Sequence, residues 1–400
     1  GGSMASILAE VMEREEPVVV EGVPLGGWGL QDVLALILAD AGQEARNRSA
    51  KFMVSHDTPS FYYYDMRHPL TASGKGKLKL EYSVTPLTET AVTETVTQPA
   101  PPFGYTSLQL GERAMVRLGE TPLGKELESI LGRATSVNAW IASGRSRSPL
   151  HYDASHNFMV AVSGRKTFLL LPPAAYASLH LHSSLHPLHR AAQTDVRAAG
   201  GTAAASLRSV DLGPGDALYL PPYYFHQVEN GPAPIAALNL YLPSDHALAF
   251  AHIYSQPLPL QPDWPEVVQR VAVGQVVRGL ADRLWAPGGR RGLVRHLVDQ
   301  RLGRLNDDPL LQLKYEVLYP PTYGGVDPGT YSATHCPRGQ VLPPGAQATL
   351  SSATEDLANH FLFVPQPLRS ILLLDYIEGA VASLVPPSHL LLYLHVCLAP

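Results

Sequence analysis

Cysteine is nearly absent: the 400-residue chain carries two, Cys336 and Cys397, and neither sits in a CxxC unit. Two thiols so far apart imply no disulfide framework and cannot build a cysteine-rich zinc module, so a reducing compartment is expected. Charge is also sparse. Asp, Glu, Lys and Arg make up 16% and the formal net charge is -5, which argues against a molecule that binds polyanions over its whole surface but leaves room for a local basic face. Nowhere do about 18 apolar residues run uninterrupted, as a membrane span needs, and no basic-then-apolar leader is visible. The expectation is a soluble protein of the cytoplasm and/or nucleus with no membrane partner. Residues 1–4, Gly-Gly-Ser-Met, look like a tag remnant and are set aside.

What is present is a globular composition, 45% hydrophobic, with 36 prolines and 33 glycines, which favours short strands joined by turns. After an amphipathic opening (Ile7, Leu8, Val11, Met12), EEPVVVEGVP reads as a buried strand. Apolar spacing over 28–38 (Leu30, Val33, Leu34, Ile37, Leu38) reads as a helix. The cluster FYYYD at 61–65 fits core packing or a substrate-facing loop, and GKGKLK at 74–79 a basic turn. VTPLTETAVTETVTQPAPP reads as weak strands and loop. TPLGKELESILG at 121–132 reads as one helix, with Thr121 as N-cap, Pro122 at its first position and Gly132 just past its end.

From there strand follows strand: VNAWIAS, NFMVAVSG, KTFLLLP, DALYLPP and IAALNLYL, the signature of an antiparallel sandwich or barrel. His180, His182, His186 and His189 interrupt the series without zinc-type spacing, and the expectation is an exposed insertion between strands. Beyond 244 the apolar spacing turns helical. Residues 270–304 hold eight arginines against two aspartates, read as an arginine-lined solvent face or a dock for an acidic partner or nucleic acid. Residues 327–347 read as a Gly/Pro-rich loop. The closing helix and the tail HLLLYLHVCLAP must bury their apolar faces on the barrel or on a second subunit, so a homodimer through the C-terminal helices is expected. The expected domains are 5–243, with its N-terminal elements, and a mostly helical extension over 244–400.

The chemistry gathers in SPLHYDASHNFMVAVSGRKTFLLLPP at 148–173. A single His-x-Asp triplet is weak evidence. In an extended segment, however, His151 and Asp153 point to the same side and can converge on one ion. PGDALYLPPYYFHQVEN then offers His226 from another strand, which completes two imidazoles and a carboxylate, the ligand set of a non-haem Fe(II) oxygenase with open positions.

These motifs, in this order, resemble the JmjC-type cupin oxygenases, which use Fe(II), 2-oxoglutarate and O2. The likeness is strong over 138–242, and it is nearest to the family members that carry a JmjC domain without reader modules. It implies a mainly β fold, a double-stranded β-helix (jelly-roll, cupin) core with flanking N-terminal helices and a helical C-terminal extension. Carried over by position, it implies His151, Asp153 and His226 as iron ligands. Lys166 would pair with the distal carboxylate of the cosubstrate, with Ser148, Asn157 and Asn239 as its polar contacts. Tyr105, Trp140 and Tyr152 would shape the substrate pocket, although Trp140 and Tyr152 fit core packing equally well. Tyr223, Tyr224 and Phe225 stand where relatives often have tryptophans. The implied reaction is hydroxylation of a protein or peptide side chain with succinate and CO2 as coproducts. Alternatives are a histone or protein N-methyl demethylase, a tRNA-modifying hydroxylase, another cupin metal chemistry, and a non-catalytic cupin scaffold.

Overall fold

The computed structural model describes residues 10–44, 51–62, 82–98, 101–198, 201–285, 288–302, 328–337, 339, 341–386 and 389–398. The described residues form two compact units, one drawn from those up to 172 and from 195 to 247, the other from 173–194 and from 248 onward. Ile7, Leu8, most of FYYYD and GKGKLK lie outside the described residues.

Among its described residues the first unit holds twelve strands in two antiparallel sheets: β1 (Val18–Val20), β2 (Lys51–Ser55), β3 (Ser83–Pro86), β4 (Phe103–Gln109), β5 (Ser136–Ala142), β6 (Arg147–Tyr152), β7 (His156–Ser163), β8 (Lys166–Leu171), β9 (Arg208–Leu212), β10 (Ala217–Leu220), β11 (Phe225–Asn230) and β12 (Ile235–Leu242). The larger sheet runs β1-β10-β7-β12-β5-β4-β2-β3 and the smaller β6-β11-β8-β9. This is the expected double-stranded β-helix core with helices beside it.

Strand parity decides what faces where, because successive side chains point to opposite faces. Phe158, Val160 and Val162 of β7, Leu238, Leu240 and Leu242 of β12, and Val137, Ala139 and Ile141 of β5 join one core with Val33, Leu34 and Ile37 of helix Leu30–Glu44. The alternate residues Met159 and Ala161 of β7 and Ala237 of β12 join Phe168, Leu170 and Val228 in a second core between the sheets. Both faces are therefore covered, which is why IAALNLYL is almost continuously apolar. Its exceptions, Asn239 and Tyr241, share the parity of Ala237 and point to the interior.

Several expectations change. EEPVVVEGVP does form β1, but at the edge of the larger sheet, with Val19 39% exposed and not buried. Residues 83–96 give β3 followed by helix Glu89–Val96; the Thr88 hydroxyl accepts from the Ala91 amide, and Val92 and Val96, four apart, are buried, so cap and spacing outweigh the Thr-rich composition. Thr121 does cap its helix, accepting from Gly124 N, but the segment breaks at Leu127 into Pro122–Glu126 and Glu128–Leu131.

The second unit is helical. Helix Glu266–Leu284 packs against Ala346–Leu362 and Leu368–Ala382. A side chain at Gly279 would come within 2.6 Å of Thr354, so glycine allows the first of these approaches. The expected loop at 327–347 contains helix Pro328–His335. His182 and His186 are not exposed but buried and stacked at 4.1 Å. Nor is the arginine segment a uniform solvent face: Arg301 is buried, pairing with Asp375 at 2.7 Å and Glu378 at 3.2 Å. The tail residues Leu390, Leu392, Tyr393, Leu394 and Leu398 are buried within a single chain, so their burial calls for no second subunit. Cys336 and Cys397, whose separation in sequence implied no disulfide framework, form a disulfide, Cα to Cα 5.8 Å, which removes that support for a reducing compartment. Sequence separation hid this pairing; the helical unit folds 61 residues of chain back on itself to make it. Among the described residues no helix is long and apolar enough to cross a membrane.

Candidate metal centre and adjoining cavity

His151 lies on β6, the edge strand of the smaller sheet, and His226 directly opposite on β11. Between this pair and the next, Val228 opposite Ser148, the register slips by one residue, and the extra residue falls on β6 at Pro149–Leu150. Proline lacks the N–H that a ladder would use, so a bulge on an edge strand is where it fits. The bulge serves the site. Pro149 O lies 2.7 Å from His151 Nδ1, and Tyr224 O lies 3.1 Å from His226 Nδ1. A carbonyl can only accept, so each Nδ1 donates, and each Nε2 is the nitrogen left to meet an ion.

Asp153 follows β6 directly. Its carboxylate accepts from Asn157 Nδ2 at 3.0 Å, and Asn157 Oδ1 accepts in turn from Asn239 Nδ2 at 2.7 Å. The Asp153 carbonyl accepts from Tyr223 N at 2.7 Å; Tyr223, with φ of 62°, holds a left-handed backbone that a non-glycine residue adopts only at a cost. This strained turn sets the start of β11 and so the height of His226. One ligand atom from each of His151, Asp153 and His226 lies within 4.8 Å of the others, and the Asp153 carboxylate is 3.7 Å from His226 Nε2.

Burial, and then the nearby His151, push the His226 imidazole down to about 4, so at neutral pH it is a neutral donor. A neutral imidazole at His226, the His151 imidazole and a carboxylate, gathered about one point, fit a divalent iron ion and also suit other divalent metals.

Lys166 opens β8, fully buried, and burial alone pushes its ammonium down to about 8. Among the described residues no carboxylate pairs with it. Its head belongs to the same cavity as the three ligand residues, which Ser148, Asn157, Asn239, Tyr105 and Trp140 also line. A buried cation without a counter-ion is costly, and a dianion entering this cavity would relieve that cost. The residues thus fit 2-oxoglutarate as well as iron. Ser148 Oγ and Tyr105 Oη lie 3.0 Å apart, and the Tyr105 ring is held by Phe61, stacked at 4.9 Å, and by the edge of Trp140 at 5.9 Å.

Of the residues expected as metal ligands, cosubstrate contacts or pocket walls, Tyr152 alone does not line the cavity; it packs on Tyr223 at 5.3 Å and on the edge of Phe225 at 5.5 Å. Sequence reasoning missed Tyr241 and Asn230, which do. Both left a signal. Tyr241 stands two residues after Asn239 on one strand, and Asn230 is the cross-strand partner of Lys166.

Comparison with known proteins adds the following. The Cupin-like domain family matches residues 4–246. "Lysine-specific demethylase JMJ31" of Arabidopsis thaliana is 32% identical over 136 residues, covering 32% of this chain and 24% of that protein. "Jumonji C domain-containing protein 5" of Drosophila melanogaster is 34% identical over 101 residues, covering 24% and 25%. The chain thus matches about a quarter of the length of these curated relatives. A solved structure of E. coli ycfD superposes with a TM-score of 0.35 at 15% identity, covering 64% of this chain and 61% of that one, a likeness that carries no weight of its own.

Proposed function

Because the chain belongs to the Cupin-like domain family, among its JmjC-type members, we propose that it is an Fe(II)- and 2-oxoglutarate-dependent dioxygenase that hydroxylates a side chain of a protein or peptide. The observation that carries this reading is the buried, unpaired Lys166 in one cavity with His151, Asp153 and His226. A metal site alone would not need a cation there.

His151, Asp153 and His226 would hold the iron by three positions and leave the rest of its coordination shell open. Lys166, Ser148 and Tyr105 would hold the distal carboxylate of 2-oxoglutarate, the ammonium supplying charge and the hydroxyls direction. Iron with 2-oxoglutarate supplies the oxidation: one O2 is consumed, a C–H becomes C–OH, and 2-oxoglutarate leaves as succinate and CO2. The protein's own work is positioning. The amide chain from Asn239 through Asn157 fixes the Asp153 carboxylate, the Pro149 and Tyr224 carbonyls fix the imidazoles, and Met159, Phe168 and Val228 keep water from the interior side.

Anaerobic reconstitution with Fe(II), followed by O2 and 2-oxoglutarate, should release succinate in a His151-dependent way, and a peptide library should yield a product heavier by one oxygen atom. No succinate would leave the non-catalytic scaffold standing. A second reading, N-methyl demethylation, is favoured by a relative named a lysine-specific demethylase. It uses the same oxidation, since a hydroxylated N-methyl group breaks down to an amine and formaldehyde. Formaldehyde from methylated peptides would establish it. Part of the support for the tRNA reading goes, because Arg301 of the arginine-rich segment is buried in ion pairs with Asp375 and Glu378 and cannot meet a nucleic acid.

A further inference from the structure

The helical unit contains a cavity of about 250 Å³ that nothing in the proposed reaction uses. Helix Glu266–Leu284 presents Arg270, Gln275 and Arg278 to it, Gly289–His296 adds Arg290, and the Cys336–Cys397 disulfide with Tyr393 closes the other side. Its charge is one-sided: three guanidinium groups line it and no carboxylate does so among the described residues.

The three arginines differ in what they already hold. Arg270 reaches Glu266 and Arg290 reaches Asp282, carboxylates that are 82% and 52% exposed, and such solvent-screened pairs are weak and leave the guanidinium open to a better partner. Arg278 makes no ion pair among the described residues, and Asp282 acts on it only through space. Arg278 donates through Nη1 to the Cys397 carbonyl at 2.8 Å, and among the described residues the rest of its five-donor fork makes no hydrogen bond. Beside it Gln275 Oε1 is buried without a hydrogen bond. An open guanidinium fork asks for an oxyanion, and a buried amide oxygen next to it asks for a donor. Gly274 keeps the space between them clear, since a Cβ there would come within 3.0 Å of Tyr393 Oη and 3.4 Å of Arg278 Nη1.

We infer that this cavity binds a small oxyanion carrying a hydrogen-bond donor, a phosphate monoester or a hydroxylated dicarboxylate, held by the Arg278 fork with Gln275 accepting from its hydroxyl. The volume sits just under the roughly 300–1,000 Å³ that drug-sized ligands fill, so a compact metabolite fits and a polymer does not.

The test is calorimetric and thermal-shift titration of the full chain with glycerol phosphate and with malate at constant ionic strength. It is done in a Lys166→Met background so that dicarboxylates cannot report from the β unit. Saturable binding of one probe is expected, and its identity separates phosphate from carboxylate. Arg278→Met should weaken it at least tenfold, and Arg278→Lys by less, because charge remains while the fork is lost. Gln275→Leu should weaken malate but leave succinate, a dicarboxylate without the hydroxyl, unchanged. Should Arg278→Met prove unstable, Gly274→Ala gives the same reading by crowding the guanidinium from a neighbouring position. Equal responses of the parent and all these variants, no saturation by either probe, or binding of RNA alone would overturn the assignment.

Discussion

Each unit buries a cation, and the two do opposite things with it. In the helical unit Arg301 reaches Asp375, Glu378 and the His182 carbonyl, and Glu378 is fixed further by the Ser184 amide at 2.7 Å. In the β unit Lys166 is also hidden and meets no acid among the described residues. A buried charge with its counter-charge in place is part of the architecture; one without it is an unfinished interaction, and the missing partner names the ligand class. The same contrast separates histidines: His182 and His186 stack on each other, whereas His151 and His226 have their Nδ1 atoms tied back and their Nε2 atoms left open.

The largest expected effect comes from closing an open valence. His226→Ala should reduce succinate release by at least about 1,000-fold, well beyond the 10–100-fold typical of contacts outside the ligand shell, and should strip iron from the purified protein. Urea unfolding should scarcely change. A large loss of stability with retained iron would place His226 with His182 as a packing residue.

Arg301→Met is the mirror experiment. It leaves Glu378, wholly buried, without its cation; burial already pushes that carboxyl upward and Arg301 opposes the push. Breaking a buried pair in this way costs about 3–5 kcal/mol, read as a lower urea midpoint, while 2-oxoglutarate turnover per folded molecule stays within about twofold. Lys166→Met should reverse both signs. The apo protein should become more stable, because the uncompensated ammonium is gone, and 2-oxoglutarate binding should fall by about 100-fold, the loss expected when a charged hydrogen-bond partner is removed.

The depressed Lys166 ammonium also fixes a pH dependence. Below about 8 Lys166 is charged in both the folded and unfolded chain. Between about 8 and 10.5 the unfolded chain binds the extra proton, so apo stability should rise with pH in that window, and the rise should vanish in Lys166→Met. Binding of 2-oxoglutarate needs the charged form, so its affinity should fall by about tenfold per pH unit above 8. Calorimetry with Mn(II) in place of iron measures this directly, and a flat profile would mean that Lys166 does not hold the dianion.

Most of the site was legible because strand chemistry is local. His-x-Asp needs only the two-residue period, and a lysine or an asparagine inside an apolar strand announces an interior polar group. Tyr241 could have been read the same way from its spacing to Asn239. The helical unit was harder. Its contacts join residues far apart in the chain: Arg301 with Glu378, Ser184 with Glu378, Cys336 with Cys397. No periodicity reports such pairs, so buried histidines read as an exposed insertion and a buried arginine as a surface one. Helix Glu89–Val96 was missed for another reason. Threonine-rich composition suggested loop, while the cap at Thr88 and two valines four apart carried the helix.

The smallest effect tests how far the open site depends on a closed network. Asn239 touches neither metal ligands nor the ends of the strands; it donates to Asn157, which donates to the Asp153 carboxylate. Asn239→Ala therefore keeps every ligand and removes the second link of the chain, together with the Asn239 side-chain contact to Tyr241. Iron affinity should weaken by up to about tenfold, the lower end of what outer contacts contribute, with KM for 2-oxoglutarate moving no more than that. Asn157→Ala, one link nearer, should cost more than Asn239→Ala, and the double variant should equal Asn157→Ala alone, because a relay already cut at its first link has nothing left to lose at its second. Additive losses would instead mean that Asn239 acts on the cosubstrate by itself, as the family resemblance implies, and that the amide pair is two contacts and not one relay.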